Sequence, residues 1–238
     1  MKQGDINVIE RQVVDFRQEN GLNDSEAINL KSLLLKLNVL TIFRPLSVDF
    51  SGMSLKSPTG ERFMLVNSLH PRGRQHYTIA HELYHLFIEE NPKPHYCSPS
   101  TPKDESEQRA DLFASMLLMP ATGIKQLIPT EELRHNSITL STVIRLEHYF
   151  SVSRQAIIYR LASLKLISKA LCDNLRSFPA TKTAKEYGYD IALYNPGNDG
   201  LVIGDFGDKA RHLFDEGKIS EGHYRELMSK IGINVDEN

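Results

Sequence analysis

Residues 78–88, TIAHELYHLFI, contain the pattern H-E-x-x-H, which constrains the fold more than any other stretch of the chain. On an α-helix, side chains four positions apart lie on the same face, so His81 and His85 can present two imidazoles to one metal ion. Glu82 lies about 100° further round the helix and borders the same position. The other residues of the stretch are mostly apolar, which predicts a buried helix that turns one polar sector toward a cleft.

Two imidazoles and a nearby carboxylate are the parts of the zinc-peptidase motif, in which the histidines hold the metal and the glutamate takes a proton from a water at the metal. The alternative is a chance match on a structural helix, and the polar sector disfavours it. In peptidases with the longer pattern H-E-x-x-H-x-x-G-x-x-H, the glycine and third histidine would fall on Ile88 and Asn91. Neither residue fits, so that class is excluded.

Length and composition predict the number of domains and the cellular compartment of the protein. The chain has 238 residues, a formal net charge of -2 and 40% hydrophobic residues, which fits one main domain with small additions. Its start has no apolar signal region, and no apolar run is long enough to span a bilayer. Cys97 and Cys172 lack C-x-x-C spacing and are predicted to be reduced thiols. We therefore expect a cytoplasmic protein with no membrane partner.

Two helices and a small sheet are predicted ahead of the metal helix. Apolar residues at three- and four-residue steps predict one helix over 6–19 and another from the caps at 23–25 through Leu37. β-branched and aromatic runs then predict three strands, at 39–44, 51–56 and 62–67, arranged as a meander. After the metal helix, prolines predict a loop over 91–102 in which His95 is an exposed histidine.

A catalytic zinc site needs a third protein ligand and one position left for water. Glu89 lies two turns above His81, about 12 Å along the helix axis, so it is excluded as a ligand to the same ion and is expected to be solvated or to support a ligand. A helix predicted within residues 104–120 carries Glu107 and Asp111 beside its apolar stripe. A carboxylate pair there is unfavourable unless a positive group meets it.

This pair predicts that Glu107 is the third ligand. Asp111 would accept the second N–H of a ligating histidine and so fix its tautomer. The alternative is that both carboxylates lie at a helix start, where the helix dipole and water stabilise them. We favour the ligand interpretation because of the spacing.

Residues 74–85, RQHYTIAHELYH, followed by E-x-x-A-D-x-F-A-x-x-L-L-M-P over 107–120, resemble the ImmA/IrrE family of metallo-endopeptidases. The resemblance covers roughly residues 5–165 and implies a gluzincin-like fold. It also implies Zn²⁺ held by His81, His85 and Glu107, with Glu82 as the general base. Tyr84 departs from the family pattern, which commonly has glycine there, and a tyrosine would narrow the cleft or donate a hydrogen bond.

The same resemblance implies that the protein substrate is a helix-turn-helix repressor or antitoxin. Such a substrate is often encoded beside the peptidase, and its cleavage derepresses a mobile-element or stress operon. Catalysis also needs a donor to the oxyanion of the scissile carbonyl. The sequence does not rank the candidates for this donor or for substrate contact, which are Tyr84, His76, Arg74 and Tyr159.

Residues 141–161 read as two helices joined by a tight turn near Ser151, with Ser153 as the second N-cap. This arrangement resembles a helix-turn-helix, and its would-be recognition helix carries Arg154, Gln155, Tyr159 and Arg160. Basic residues outnumber acidic ones only modestly between 130 and 170, so we favour a packing or substrate-docking role over DNA binding. The rival function is a DNA-binding or regulatory module whose metal site is catalytically silent.

The chain after Leu171 changes character. It reads as a linker at 177–183, a short hairpin formed by 191–194 and 201–204, and two helices at 209–215 and 220–231, with His212 and His223 on the surface. The predicted fold class is α+β. A mostly helical, zincin-like peptidase domain with a small three-stranded sheet occupies 1–128, the helix-turn-helix-like segment 129–172, and a C-terminal extension 173–238.

Overall fold

The computed structural model describes residues 3–90 and 104–235. The predicted loop over 91–102, its histidine His95 and Cys97 lie outside the described residues. Cys172 is buried and forms no disulfide within the described residues.

The first half of the chain contains two helices, three strands and the two long helices that carry the candidate ligands. They are α1 (Gln3–Glu19), α2 (Leu30–Lys36), β1 (Val39–Arg44), β2 (Gly52–Lys56), β3 (Arg62–Asn67), α3 (Arg72–Phe87) and α4 (Glu105–Leu118). The second half is helical apart from one short strand. It comprises α5 (Ala121–Leu127), α6 (Thr130–His135), α7 (Leu140–Phe150), α8 (Arg154–Ser163), α9 (Lys169–Ser177), α10 (Ala180–Glu186), a 3-10 turn (Ala192–Tyr194), β4 (Val202–Ile203), α11 (Phe206–Asp215) and α12 (Glu221–Lys230).

The α+β class is confirmed, but the predicted three-stranded meander is wrong. The sheet has four strands in the order β2-β3-β1-β4. Strands β2 and β3 form an antiparallel hairpin, whereas β1 runs parallel to β3 and antiparallel to β4. The more apolar strands β1 and β3 occupy the centre, and β2, which ends in exposed Leu55 and Lys56, lies at the edge.

The C-terminal extension differs from its predicted form. Residues 191–194 and 201–204 do not form a hairpin. The first segment is a 3-10 turn, and Val202 and Ile203 pair with Ile42 and Thr41 of β1. Pairing with β1 satisfies backbone groups that would otherwise leave this side of the sheet open. The predicted linker at 177–183 is also wrong in part, because α10 begins directly after Pro179, where proline favours a helix start.

Helix α2 begins later than predicted. The Asn29 side chain caps it by accepting from the Ser32 backbone N–H at 3.0 Å. The residues before it are held in a turn by Arg17, whose buried guanidinium donates to the carbonyls of Asn23 and Glu26. An arginine that satisfies these carbonyls replaces the intrahelical hydrogen bonds that the prediction had assumed.

Helix α3 lies between the sheet and α4 and forms the centre of the hydrophobic core. Leu83 on α3 and Phe113 and Leu117 on α4 are fully buried. The ring of Phe16 on α1 packs edge-on against Phe113 at 5.6 Å between centroids. Because the sheet and α4 cover α3 from two sides, the side chains of residues 78–86 on this helix are all buried.

The predicted pair of helices around Ser151 is confirmed as α7 and α8. Ser151 takes the left-handed conformation at the end of α7, and the Ser153 hydroxyl caps α8 by accepting from the Ala156 N–H. Arg154 and Arg160, both on the would-be recognition helix, are buried. Arg160 donates to the Met119 carbonyl at 3.0 Å.

Arg154 forms a buried ion pair with Glu147 of α7, which also accepts from the Tyr194 hydroxyl. Arg154 donates further to Thr183 of α10 at 3.1 Å. Burial raises the pKa of Glu147, and its hydrogen bonds to Arg154 and Tyr194 offset only part of this effect. The network therefore joins the α7–α8 pair to the C-terminal extension.

We expect Glu147→Ala to lower the free energy of unfolding by about 3–5 kcal/mol, because it leaves the Arg154 guanidinium buried without its counter-ion. Urea unfolding of the purified protein measures this loss. The matched control is Glu131→Ala, which removes an exposed carboxylate paired with Arg134 and should cost less than about 1 kcal/mol. A similar small loss for both variants would contradict a structural role for the buried pair.

Candidate metal centre

Helices α3 and α4 position the candidate ligands, and local contacts fix both helices. The Asp104 side chain caps α4 by accepting from the Glu107 backbone N–H at 2.9 Å, which sets the backbone of Glu107 within the first turn. The Tyr77 hydroxyl on α3 donates to the Asp111 carbonyl on α4 at 2.8 Å. One side chain therefore bridges the two helices one turn before His81.

The structure brings His81, His85 and Glu107 together as a group that could hold a metal ion. The two Nε2 atoms lie 3.2 Å apart, and they lie 3.3 and 3.4 Å from the two carboxylate oxygens of Glu107. A tetrahedral zinc ion with bonds of about 2.0–2.1 Å separates its ligand atoms by about 3.3 Å. The observed spacing therefore fits zinc and its usual nitrogen and oxygen ligands.

Carboxylates on the far side of each imidazole determine which nitrogen faces the centre. His81 Nδ1 lies 3.1 Å from Asp111 Oδ1, and His85 Nδ1 lies 2.7 Å from Glu89 Oε2. A carboxylate accepts only, so each Nδ1 carries the proton in the neutral imidazole and each Nε2 presents its lone pair to the centre. Two lone pairs and a carboxylate directed at one point repel each other unless a cation lies between them.

The charges around the histidines also favour a cation at the centre. Burial alone would lower the pKa of His85, but the carboxylates of Glu107 and Glu89 outweigh it and hold this pKa above its ordinary value. Burial would raise the pKa of Glu107, but the adjacent imidazoles of His81 and His85 outweigh it and hold that pKa well below the usual range. The centre is therefore an anionic site that favours a positive charge.

Glu89 and Ser106 extend the centre beyond what the H-E-x-x-H pattern contains. Glu89 lies just beyond the end of α3 and outside the group of three ligands, and its carboxylate supports His85 just as Asp111 supports His81. Ser106, on the first turn of α4, donates to the other Glu89 oxygen and was missed. Its position next to Glu107 is the only signal that the sequence offers for it.

Glu82 is fully buried on α3 and contacts the sheet. Its Oε2 accepts from the Ser54 hydroxyl on β2 at 2.7 Å. It lies outside the group of three ligands and still acts electrostatically on His85. The role of Glu82 stays a prediction, and Ser54 is a neighbour that the H-E-x-x-H spacing could not supply.

The four candidate oxyanion or substrate residues lie in different places. Arg74 donates to the Ser51 hydroxyl at 3.1 Å, and His76 Nδ1 lies 2.8 Å from the Ser151 carbonyl oxygen.

Tyr84 is buried in the contact between α3 and α4, where its ring packs on Phe113 and on the imidazole of His85. Burial raises the pKa of its hydroxyl, and the nearby Arg109 offsets only part of this effect. Tyr159 is 63% exposed on α8. The roles assigned to these residues stay predictions.

Comparison with known proteins identifies one family. Residues 35–162 match the family model Peptidase_M78, described as the IrrE N-terminal-like domain. This range is more than half of the chain and contains all three candidate ligands, Glu82, α7 and all of α8 except its last residue. No curated protein matches the sequence. Among the described helices, none has the length and apolar character needed to cross a membrane.

We expect Glu107→Ala to lower zinc affinity by more than about 100-fold, because the two imidazoles would remain as a two-ligand site. Competition with a chromophoric chelator measures the affinity. Glu105→Ala is the matched control, since Glu105 lies on the same first turn of α4 but pairs with Arg109 at the surface. Zinc affinity unchanged by Glu107→Ala would exclude Glu107 as a ligand.

We also expect Asp111→Ala and Glu89→Ala each to weaken zinc binding by about 10- to 100-fold, because each carboxylate fixes the tautomer of one histidine. The same chelator competition applies to both variants. If Glu89 were merely solvated, its replacement would leave the affinity at the wild-type value.

Proposed function

The chain belongs to the IrrE N-terminal-like family of metallopeptidases, and from this premise we propose that it is a zinc-dependent endopeptidase. The observation that carries the proposal is the convergence of His81, His85 and Glu107 at the separations of a tetrahedral zinc site. Three protein ligands leave one coordination position for water or substrate, which is the arrangement of catalytic rather than structural zinc.

A zinc ion held by these residues would act as a Lewis acid and make water acidic enough to yield a nucleophile near neutral pH. The protein's own contribution is proton transfer. Glu82 would take a proton from the attacking water and pass it to the amine that leaves. Asp111 and Glu89 would keep the histidines in the tautomer that leaves Nε2 unprotonated.

The edge strand β2 supports a peptide as the substrate. It lies at the outer side of the sheet and contacts α3 beside Glu82. An extended peptide would add to this edge through main-chain hydrogen bonds, which recognise backbone rather than one particular side chain. Such a peptide would pass Glu82, so hydrolysis within a chain fits this geometry.

We further propose that the substrate is a helix-turn-helix repressor or antitoxin in the cytoplasm and that its cleavage derepresses an operon. Support comes from membership of the family and from the resemblance that the two motifs carry. The rival function, DNA binding with a silent metal site, finds less support because Arg154 and Arg160 are buried in the α7–α8 pair. Only Gln155 and Tyr159 of the four expected residues are exposed on α8.

We expect Glu82→Gln to lower kcat/KM by about 100- to 10,000-fold while zinc content stays at the wild-type value, because the amide cannot accept the water proton. The measurement is digestion of the repressor encoded nearest to the gene, with zinc content determined in parallel.

The matched control for this comparison is Glu131→Gln, an exposed carboxylate on α6 that should leave cleavage unchanged. Equal cleavage by wild type and Glu82→Gln would refute the role of Glu82. A gel shift with operon DNA in the absence of any cleavage would favour the rival function.

A further inference from the structure

Strand β2 contributes Gly52 and Ser54 to the surroundings of Glu82, and neither belongs to the H-E-x-x-H pattern. A β-carbon on Gly52 would lie 2.6 Å from Thr78 Cγ2 and 2.9 Å from the Leu65 carbonyl oxygen. Both separations are shorter than real Cβ contacts, and the carbonyl belongs to the backbone of the neighbouring strand. Because glycine has no side chain, α3 can lie directly against β2 at this point.

Ser54 lies two residues further along β2 and projects to the same face as Gly52, since side chains alternate along a strand. Its hydroxyl donates to Glu82 Oε2 at 2.7 Å, a normal length for a hydrogen bond to a carboxylate. Ser54 is 6% exposed and Glu82 is 0% exposed, so bulk water does not compete for the bond. In such surroundings a charge-assisted hydrogen bond strongly constrains its partner.

Helix α3 therefore turns its polar residues in two directions. His81 and His85 face the carboxylates of α4, whereas Glu82 faces β2 through Ser54. A carboxylate this close to a cation site is attracted to the cation, and a base that became a ligand would lose its capacity to accept a proton. A contact is therefore needed that holds the Glu82 carboxylate beside the centre and keeps it from binding the ion.

We propose that Ser54 is a positioning residue that holds the Glu82 carboxylate against β2 and so keeps it available as the general base. Gly52 permits this contact by allowing the helix to approach the strand. The inference rests on the proposed peptidase function and deepens it by assigning a residue outside the metal-binding helices. The competing explanation is that the Ser54 hydroxyl merely fills space in the packing of the sheet.

The kinetic test compares Ser54→Ala with Ser54→Thr. We expect Ser54→Ala to lower kcat by about 10- to 100-fold with KM and zinc content unchanged, because a mispositioned base slows the chemical step alone. Ser54→Thr keeps the hydroxyl and should recover most of the rate. Thr41→Val is the control, since it removes a buried hydroxyl of β1 that bonds the Val39 carbonyl of its own strand. It should leave kcat unchanged.

Three results would overturn the role of Ser54. They are an unchanged kcat in Ser54→Ala, an equal loss in Ser54→Ala and Ser54→Thr, and a loss of zinc from Ser54→Ala. The first would show that the bond does not matter for catalysis. The second would show that volume rather than the hydroxyl decides the rate, and the third would show a structural role in the centre.

A second measurement needs no peptide cleavage. The urea midpoints of wild type, Ser54→Ala, Glu82→Ala and the double variant, all with zinc in equal excess, form a double-mutant cycle. We expect Ser54→Ala to lower the midpoint clearly in the wild-type background and much less when Glu82 is absent. Equal shifts in both backgrounds would overturn the Ser54 role alone. A wild-type protein that cleaves nothing would overturn the proposed function, and the role of Ser54 with it.

Discussion

The mutual repulsion of the groups that α3 and α4 bring together is the constraint on which the rest of the structure depends. Two imidazole lone pairs and the Glu107 carboxylate lie about 3.3 Å from one another, and a cation relieves that repulsion. The arrangement persists because other contacts hold both helices. Asp104 caps α4, Tyr77 bridges the helices, and a shared hydrophobic core packs them together.

The two layers on either side of α3 contact different polar residues of this helix. Helix α4 supplies Glu107 and Asp111 to the histidines, while β2 supplies Ser54 to Glu82. A single helix thus contacts two partners because His81 and His85 share one face while Glu82 points to another. The absence of a side chain at Gly52 lets α3 lie directly against β2, where this second contact forms.

The α7–α8 pair shows that a local sequence pattern does not determine whether its arginines are exposed or buried. Its two helices, tight turn and serine cap are those of a helix-turn-helix, yet Arg154 and Arg160 point into the protein. Their partners, Glu147 and the Met119 carbonyl, lie on other elements. Hydrophobic spacing locates the helices correctly, but whether an arginine faces solvent or a buried acceptor depends on what packs against that face.

The sequence by itself determined the features that arise from neighbouring residues: the metal helix, the shared face of His81 and His85, the helix carrying Glu107, and the α7–α8 pair. Helical periodicity is local, so four-residue spacing is enough to align such side chains. Only the tertiary structure decided the parallel pairing of β1 with β3, the addition of β4, and the contact of Ser54 with Glu82. Each of these joins segments far apart in the chain, and chain-local propensities do not specify which distant partner satisfies a strand edge or a buried carboxylate.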